Sequence, residues 1–388
     1  MDEEVGRLAD SHPRYQSNLH RRNFRELRLA QKHVIVVGGG IIGASFAYHL
    51  VKSGARVTLL DEAKERGGVA TPKSWAWINA SCGNPENYFH LRSHSMKLWR
   101  SLDKAVPGMR VNWCGGLLWD LPEDELRAYV KQQSSWGYDI KLVDRQKARK
   151  IEPNLMEPPE IAAHAADEGV VEPEHAVTCF LAAAEQYGAQ ILSGVRAIRL
   201  AEDGEGIKGV MTDDGVLEAD DVVVAAGAAS PQILKTVGVA LPLDTPPGLL
   251  VTSEPAPELL NGLVMAPELH VRQRPDGSLI AGSDFGGTEP GKDPEATAEQ
   301  LFGKVKAMIR GAENVKMAGF AIGHRPTPPD GVSVVGRIMG KPGLYVCVTH
   351  SGITLAPALG ELGALEILEG ERDSLLKPFA PDRLLARK

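Results

Sequence analysis

The chain has 388 residues, of which 43% are hydrophobic and 24% are charged, and its formal net charge is −7 at pH 7. This length exceeds the size at which one hydrophobic core keeps growing, so two connected lobes are expected. The acidic balance argues against nucleic acid or an anionic membrane as a partner. No apolar run reaches the roughly 20 residues that a membrane-spanning helix needs.

Residues 1–32 form an arm whose composition differs from the rest of the chain. Early acids (Asp2, Glu3, Glu4) precede several arginines, and no apolar segment has the length of a secretory signal. Residues 23–31 form either a surface helix or a partly disordered segment. The four cysteines, at positions 82, 114, 179 and 347, form no CxxC pair. We therefore expect reduced thiols, no metal site and a cytoplasmic protein.

A βαβ unit follows the arm. Residues 33–37 are mostly β-branched and carry no charge after His33, as a parallel strand buried on both faces requires. Residues 43–53 predict a helix that Gly54 ends, and residues 56–60 predict the second strand.

The remaining elements alternate between two lobes. An amphipathic stretch runs through Leu91, Leu98 and Leu102, and a turn is predicted at residues 274–277. The further helices are predicted at residues 174–187 and 355–368. The further strands are predicted at residues 116–119, 190–200, 206–211, 221–226, 279–281 and 344–348.

The glycine motif between the first strand and helix predicts a dinucleotide site. In Gly38-x-Gly40-x-x-Gly43, one glycine permits the turn, one admits the pyrophosphate and one lets the helix pack on the strand. The helix N-terminus offers free N–H groups to the phosphates. Asp61 ends the second strand, where a carboxylate can accept hydrogen bonds from a ribose diol.

A later strand favours FAD over NAD. Residues 222–227 form a buried run ending in the small residues Ala225, Ala226 and Gly227. Taken alone, such a run is either an ordinary core strand or the second cofactor-contact strand of a flavoprotein, whose glycine lets the backbone approach the cofactor. Its distance from the glycine motif favours the flavoprotein strand.

The chain resembles the D-amino-acid oxidase family of flavoproteins, which includes glycine oxidase and monomeric sarcosine oxidase. The resemblance covers about residues 33–370 and includes four segments besides the glycine loop. These segments are Asp167-Glu168-Gly169-Val170-Val171-Glu172-Pro173, Ser74-Trp75-Ala76, Arg325-Pro326-Thr327-Pro328-Pro329-Asp330-Gly331 and His350-Ser351-Gly352-Ile353-Thr354-Leu355-Ala356-Pro357.

The resemblance implies an α/β fold with a Rossmann-like FAD-binding lobe and an interleaved α+β substrate lobe built on a mixed sheet. Residues 33–84, 150–235 and 322–388 are assigned to the FAD-binding lobe. Residues 85–149 and 236–321 are assigned to the substrate lobe.

The resemblance also implies non-covalent FAD. Gly323 stands where sarcosine oxidases carry a flavin-linking cysteine, so attachment there is excluded. The residues expected to bind the cofactor are Gly38, Gly40, Ile41, Ile42, Gly43, Asp61, Glu62, Gly68, Ser74, Trp75, Ala76, Val195, Ala226, Gly227, Arg325, Gly352, Ile353 and Thr354. Residues 352–356 open the last helix, whose N–H groups either face the flavin's pyrimidine edge or serve helix stability alone.

Three residues are expected at the substrate. Arg325 matches the carboxylate-binding arginine of glycine oxidases; its alternative is an ion pair within its own loop. Trp77 forms either an aromatic wall of the pocket or core packing. His270 either tunes substrate protonation above the flavin or faces solvent. Thr354 replaces the carboxylate-binding lysine of sarcosine oxidases, which argues against sarcosine as substrate.

The expected activity is oxidation of an amine or amino acid, with oxygen as the electron acceptor. An oligomer is one option for the protein's assembly state. The first alternative is an FAD-dependent dehydrogenase of an amino acid or 2-hydroxy acid that passes electrons to a quinone or protein. The second is a flavin-binding subunit of a larger complex. An NAD-dependent dehydrogenase is disfavoured by the second cofactor strand.

Overall fold

The structure is a computed structural model that describes residues 32–81 and 83–385. The helix considered at residues 23–31 and the thiol of Cys82 lie outside the described residues. In the described part of the chain, none of the helices combines the length and the apolar character that a membrane crossing requires.

The described residues fold into four sheets and the helices that cover them. The helices are α1 (Ile41–Lys52), α2 (Glu86–Ala105), α3 (Glu123–Ser135), α4 (Arg145–Ile151), α5 (Pro173–Gln186), α6 (Ser230–Lys235), α7 (Pro294–Met308) and α8 (Gly352–Glu369). The strands are β1 (His33–Val37), β2 (Arg56–Asp61), β3 (Trp77–Ile78), β4 (Val111–Asn112), β5 (Gly116–Leu118), β6 (Ile140–Asp144), β7 (Ile161–Ala165), β8 (Gly169–Val171), β9 (Gln190–Ser193), β10 (Arg199–Asp203), β11 (Gly206–Thr212), β12 (Gly215–Glu218), β13 (Asp221–Val224), β14 (Pro247–Ser253), β15 (Leu263–Ala266), β16 (Leu269–Gln273), β17 (Leu279–Gly282), β18 (Met317–His324), β19 (Val334–Arg337) and β20 (Leu344–Val348).

The nucleotide-type sheet has the order β19-β20-β13-β1-β2-β9. All its pairs are parallel except that of the edge strand β19 with β20. The side chains of Val34, Ile35 and Val36 are fully buried, because helices cover one face of the sheet and the small sheet β10-β11-β12 covers the other. The predicted βαβ unit is confirmed, with α1 beginning at Ile41 rather than at residue 43.

Helices α1 and α8 approach each other very closely on one face of this sheet. A Cβ atom at Gly360 would overlap the hydroxyl of Ser45, and one at Gly363 would meet the Phe46 ring at 2.5 Å. The Ser45 hydroxyl donates a hydrogen bond of 2.6 Å to the carbonyl of Ala356. Glycine on one helix therefore lets the two backbones lie side by side.

The second large sheet is mixed and has the order β18-β14-β17-β16-β15-β5-β7-β6. Its β15–β5 pair is parallel and the other pairs are antiparallel. Helix α7 covers one face through Phe302 and Val305, and the other face contacts Trp75 and Trp77. The expected combination of a Rossmann-like lobe and a mixed-sheet lobe is confirmed.

Two segments do not lie in the lobe to which the sequence analysis assigned them. Helix α2, assigned to the substrate lobe, buries Tyr88, Leu91 and Trp99 in the core formed by α1, α5 and α8. Strand β7, assigned to the FAD-binding lobe, pairs with β5 and β6 in the mixed sheet. Amphipathic periodicity shows that a helix has a buried face but not which layer covers it.

The single strand expected at residues 190–200 is wrong. The segment forms β9 in the nucleotide-type sheet and β10 in the small sheet. Gly194 lies between them with φ +76°, a left-handed conformation that ends β9 and redirects the chain.

Stability should fall in mild acid because of His49. This residue is buried in α1, its Nε2 has no hydrogen-bond partner among the residues that the structure describes, and burial lowers its pKa to about 4. The unfolded chain binds a proton near pH 6.5, so it takes up protons before the folded state does. Unfolding free energy should therefore drop by up to about 1.4 kcal/mol per pH unit as pH falls from about 6.5 to 4.

The variant His49→Leu isolates this effect. We expect a smaller difference in thermal midpoint between pH 7 and pH 5 than in the unsubstituted protein. His90→Leu, which removes an exposed imidazole on α2, is the control and should leave the difference unchanged. Equal pH dependence in His49→Leu and the parent protein would contradict the assignment.

Candidate functional site

A cavity of about 730 Å³ lies where the two large sheets meet. Its lining comes from the β1–α1 loop, the ends of β2, β13 and β18, residues 68–77 and the first turn of α8. Carboxyl ends of parallel strands converge on one edge of such a sheet, which is where ligands bind in open α/β folds. Residues far apart in sequence therefore meet around a single space.

The glycine loop has the geometry that its motif predicts. Gly38 has φ +110°, and a Cβ there would come within 2.5 Å of the carbonyl oxygen of Ala225. Gly43 does not line the cavity; its missing Cβ lets α1 pack against the Gly38 carbonyl. The first glycine thus serves the turn and the third serves helix packing.

The N-terminus of α1 opens into the cavity beside this loop. Gly40, Ile41 and Ile42 line the space, and the first turn carries no acidic side chain. The Ile41 N–H donates to the Thr71 hydroxyl at 3.2 Å, and Gly68 approaches the Gly40 backbone from the other side. This cradle of backbone N–H groups and glycines fits a diphosphate.

Acidic side chains line the cavity at the end of β2. The Asp61 carboxylate accepts hydrogen bonds from the N–H groups of Gly39 and Ala63, the latter at 2.8 Å. The Glu62 carboxylate oxygen Oε2 lies 3.8 Å from Nε of Arg196, and Val195 lines the same region. A fixed carboxylate here suits a ribose hydroxyl, as expected from the sequence.

The first turn of α8 forms a further part of the lining, and a Cβ at Gly352 would lie 3.4 Å from the Ile41 side chain. Side chains of α2 hold the turn in place: Trp99 donates to the Ile353 carbonyl at 2.9 Å, and Ser95 donates to the Thr354 carbonyl at 2.6 Å. Arg92 donates to the Ser351 hydroxyl at 2.7 Å. The Thr354 hydroxyl donates to the Trp77 carbonyl at 2.9 Å.

Positively charged side chains lie beside the first turn of α8. Arg92 and Arg325 line the cavity beside the α8 N-terminus, and His350 lies near both. Burial, followed by the charge of Arg92, lowers the pKa of His350 to about 4, so that histidine is neutral at pH 7. An anionic group is therefore favoured here by two guanidiniums and a helix dipole.

Arg325 lies in the cavity without an acidic partner among the described residues. Its Nε is buried and makes no hydrogen bond. Its guanidinium lies against Gly286, where any Cβ would overlap it. The alternative of an ion pair within its own loop is not what the structure contains, since Asp330 pairs with Arg383. The guanidinium is open to a ligand carboxylate.

Aromatic side chains form an apolar wall close to Arg325. Trp75, Trp77 and Phe285 line the cavity, with ring centroids 6.0 Å apart for Trp75–Trp77 and for Trp77–Phe285. Ala76 between the tryptophans has φ +66°, which is rare for a residue other than glycine. Such backbone conformations cluster at functional sites.

His270 is not brought to the cavity. Its side chain is 2% exposed, its Nε2 lies 2.9 Å from the Asp120 carboxylate, and its ring packs against Trp75. The solvent-facing alternative is wrong as well, because both faces of β16 are covered. Asp120 lies 150 positions away in the chain, so no local pattern around His270 indicated this partner.

Most of the residues expected at the cofactor line this cavity. They are Gly38, Gly40, Ile41, Ile42, Asp61, Glu62, Gly68, Ser74, Trp75, Ala76, Val195, Ala226, Gly227, Arg325, Gly352, Ile353 and Thr354. Sequence reasoning missed Thr71, Arg92, Phe285 and His350 as lining residues. Phe285 carried a local signal, the glycine-rich stretch Gly282 to Gly287, and His350 stood at the start of a segment quoted for the family resemblance. In the described ranges no group of three potential metal ligands converges.

Known proteins resemble this chain over most of its length. A glycine oxidase from Bacillus licheniformis is 27% identical, covering 86% of this chain and 92% of its own. An uncharacterized oxidoreductase, YurR, from Bacillus subtilis is 28% identical, covering 92% of this chain and 100% of its own. The solved structure of L-proline dehydrogenase from P. horikoshii superposes with TM-score 0.83 at 24% identity, covering 91% of this chain and 97% of that one.

The family match agrees with the glycine cradle and the β2 carboxylates. It spans residues 33–364, which include every element that lines the cavity. The chain belongs to the family described as DAO, the FAD-dependent oxidoreductases, and is an enzyme that uses FAD.

Proposed function

We propose that this enzyme oxidises the C–N bond of an α-amino acid or a closely related amine, with its substrate carboxylate bound by Arg325 and its FAD held non-covalently. The observation that carries the proposal is the cavity-lining guanidinium of Arg325, which has no acidic partner among the described residues. Bidentate binding of a carboxylate is the task for which a planar guanidinium is suited.

The FAD supplies the redox chemistry by accepting the hydride that leaves the carbon next to nitrogen. The protein's own residues orient the reactants. Arg325 fixes the carboxylate, and the wall of Trp77 and Phe285 excludes water beside it. The neutral His350 adds no charge of its own, so that the α8 N-terminus and Arg92 dominate at the flavin edge. The imine product is then hydrolysed by water.

The glycine loop supports the FAD assignment residue by residue. The diphosphate would lie at Gly38, Gly40 and the α1 N-terminus, and the ribose at Asp61 and Glu62. The flavin would extend past Ala226 and Gly227 to the first turn of α8. Gly323 lies against Lys73 and offers no nucleophile for a covalent link.

A second candidate is an FAD-dependent dehydrogenase that passes electrons to a quinone or protein, alone or as a subunit of a complex. It is favoured by the similarity to L-proline dehydrogenase, and to a curated relative named hydrogen cyanide synthase subunit HcnC. The leading proposal instead has oxygen as the acceptor and a cytoplasmic location. Reoxidation of the reduced protein in air separates the two: rapid recovery of the flavin absorbance supports the oxidase.

The substrate class is tested by anaerobic absorbance titration of the purified holoenzyme. D-amino acids, L-amino acids, N-methyl amino acids and 2-hydroxy acids are added in turn. We expect bleaching of the flavin band by one class of amino acid and formation of the matching imine-derived product. Bleaching by 2-hydroxy acids alone, or by none of these compounds, would contradict C–N oxidation.

Replacing Arg325 tests the carboxylate site. Arg325→Ala should weaken binding of carboxylate substrates by roughly 2–5 kcal/mol, because a charge-assisted pair in a partly buried site is lost. The measurement is the substrate dissociation constant from anaerobic stopped-flow reduction of the flavin. Arg325→Lys keeps the charge but not the bidentate geometry. Its substrate dissociation constant should lie between those of the unsubstituted protein and Arg325→Ala.

The matched control is Arg310→Ala, an exposed arginine of the same lobe that is distant from the cavity lining. It should leave the dissociation constant unchanged. If Arg325→Ala binds the carboxylate substrate as tightly as the parent protein, Arg325 is not the anchor.

A further inference from the structure

A buried carboxylate stands directly behind the aromatic wall. Glu168 follows β7, is 1% exposed, and does not line the cavity. One of its oxygens accepts the indole N–H of Trp77 at 2.8 Å. The other accepts the hydroxyls of Ser81 at 2.6 Å and Tyr138 at 2.7 Å.

The position of Glu168 is fixed by the small sheet β3-β8-β4. Strand β3 pairs with β8, so that Trp77 lies opposite Val170, two residues beyond the carboxylate. Gly116 closes the other side, since a Cβ there would come within 2.9 Å of the Glu168 carboxylate. The side chain has little room to move independently of Trp77.

The Trp77 indole has a single hydrogen-bonding group. Trp77 has one N–H donor and no acceptor, and that donor is used by Glu168. Its ring makes a T-shaped contact with Trp75 and a tilted contact with Phe285, and both neighbours line the cavity. The hydrogen bond to Glu168 is therefore the directional contact that fixes the indole plane against the cavity.

The charge on Glu168 is finely balanced. Burial raises its pKa to about 7, while hydrogen bonds from Ser81, Tyr138 and Trp77, and the charge of Arg92, oppose that rise. Two further titratable groups face it: burial raises the pKa of the Tyr138 phenol well above its usual value and that of the Cys114 thiol to about 11, so both stay protonated near neutral pH. Arg92 itself is tied to Asn79 and Ser351.

We propose that Glu168 is a positioning residue whose ionisation controls how firmly the Trp77 indole is held at the wall of the flavin and substrate cavity. The carboxylate accepts a charge-assisted hydrogen bond from the indole, which is roughly twice as strong as the bond to a neutral acid. Above neutral pH the wall is held tightly, and below it the indole is held by a weaker bond. The inference concerns the cavity wall and does not depend on which amine is oxidised.

The direct test is the indole N–H resonance of Trp77 in the FAD-bound protein labelled with ¹⁵N-tryptophan. Trp77→Phe identifies the resonance by its disappearance. Between about pH 5.5 and 8.5 we expect it to shift with a midpoint near neutrality, the region in which Glu168 titrates. A Trp77 resonance that does not move across this range overturns the proposal.

Two variants assign the shift to Glu168. Glu168→Gln keeps an acceptor for the indole but cannot ionise, so the resonance should remain fixed at all pH values. Tyr138→Phe removes a donor that stabilises the carboxylate, so its midpoint should move to higher pH. A shift that persists unchanged in Glu168→Gln would contradict the proposal, because another group would then be its source.

Kinetics extend the test to the cavity once a substrate is known. In Glu168→Gln, the KM for that substrate should lose the part of its pH dependence centred near neutrality, with a smaller effect on kcat. A merely structural carboxylate would lower both without changing the pH profile. Failure of every amine to reduce the flavin would end the proposed function but leave the resonance titration, and hence this inference, intact.

Discussion

The close packing of α1 against α8 is the constraint on which the rest of the site depends. Gly360 and Gly363 remove the side chains that would separate these helices, and Ser45 joins them through the Ala356 carbonyl. Both helices begin at the edge of the sheet where β1, β13 and β20 end. Their two N-termini therefore open into one cavity, where they can meet a dinucleotide with a charged middle and a reactive end.

Residues from elsewhere in the chain surround each of the two helix N-termini. At the α1 end, the β2 carboxylates and Thr71 surround the glycine loop. At the α8 end, α2 holds the first turn with Trp99, Ser95 and Arg92, and β18 brings in Arg325. The segment that leads into β3 and the loop after β17 add the aromatic wall, which packs against the mixed sheet. The indole N–H groups of Trp75 and Trp77 donate to the Ile280 carbonyl and to Glu168. The proposed chemistry needs few reacting side chains because orientation and charge carry it.

How much was predictable follows from the range of each interaction. The glycine loop, its strand and its helix are local in sequence, and all were predicted because their residue types and spacing suffice. Arg325 and the α8 turn were predicted through the family resemblance. His270 was misplaced, since its partner Asp120 is 150 positions away and leaves no local pattern. Glu168 lay within a quoted motif, but its contact with Trp77 across 91 positions exists only in the fold.

We propose that the flavin edge lies against the α8 N-terminus, Arg92 and Arg325. The midpoint reduction potential of FAD bound to the protein, measured beside free FAD at the same pH, tests this placement. Because reduction adds negative charge where these positive groups converge, we expect a more positive potential for bound FAD. A potential equal to that of free FAD, or more negative, would contradict it.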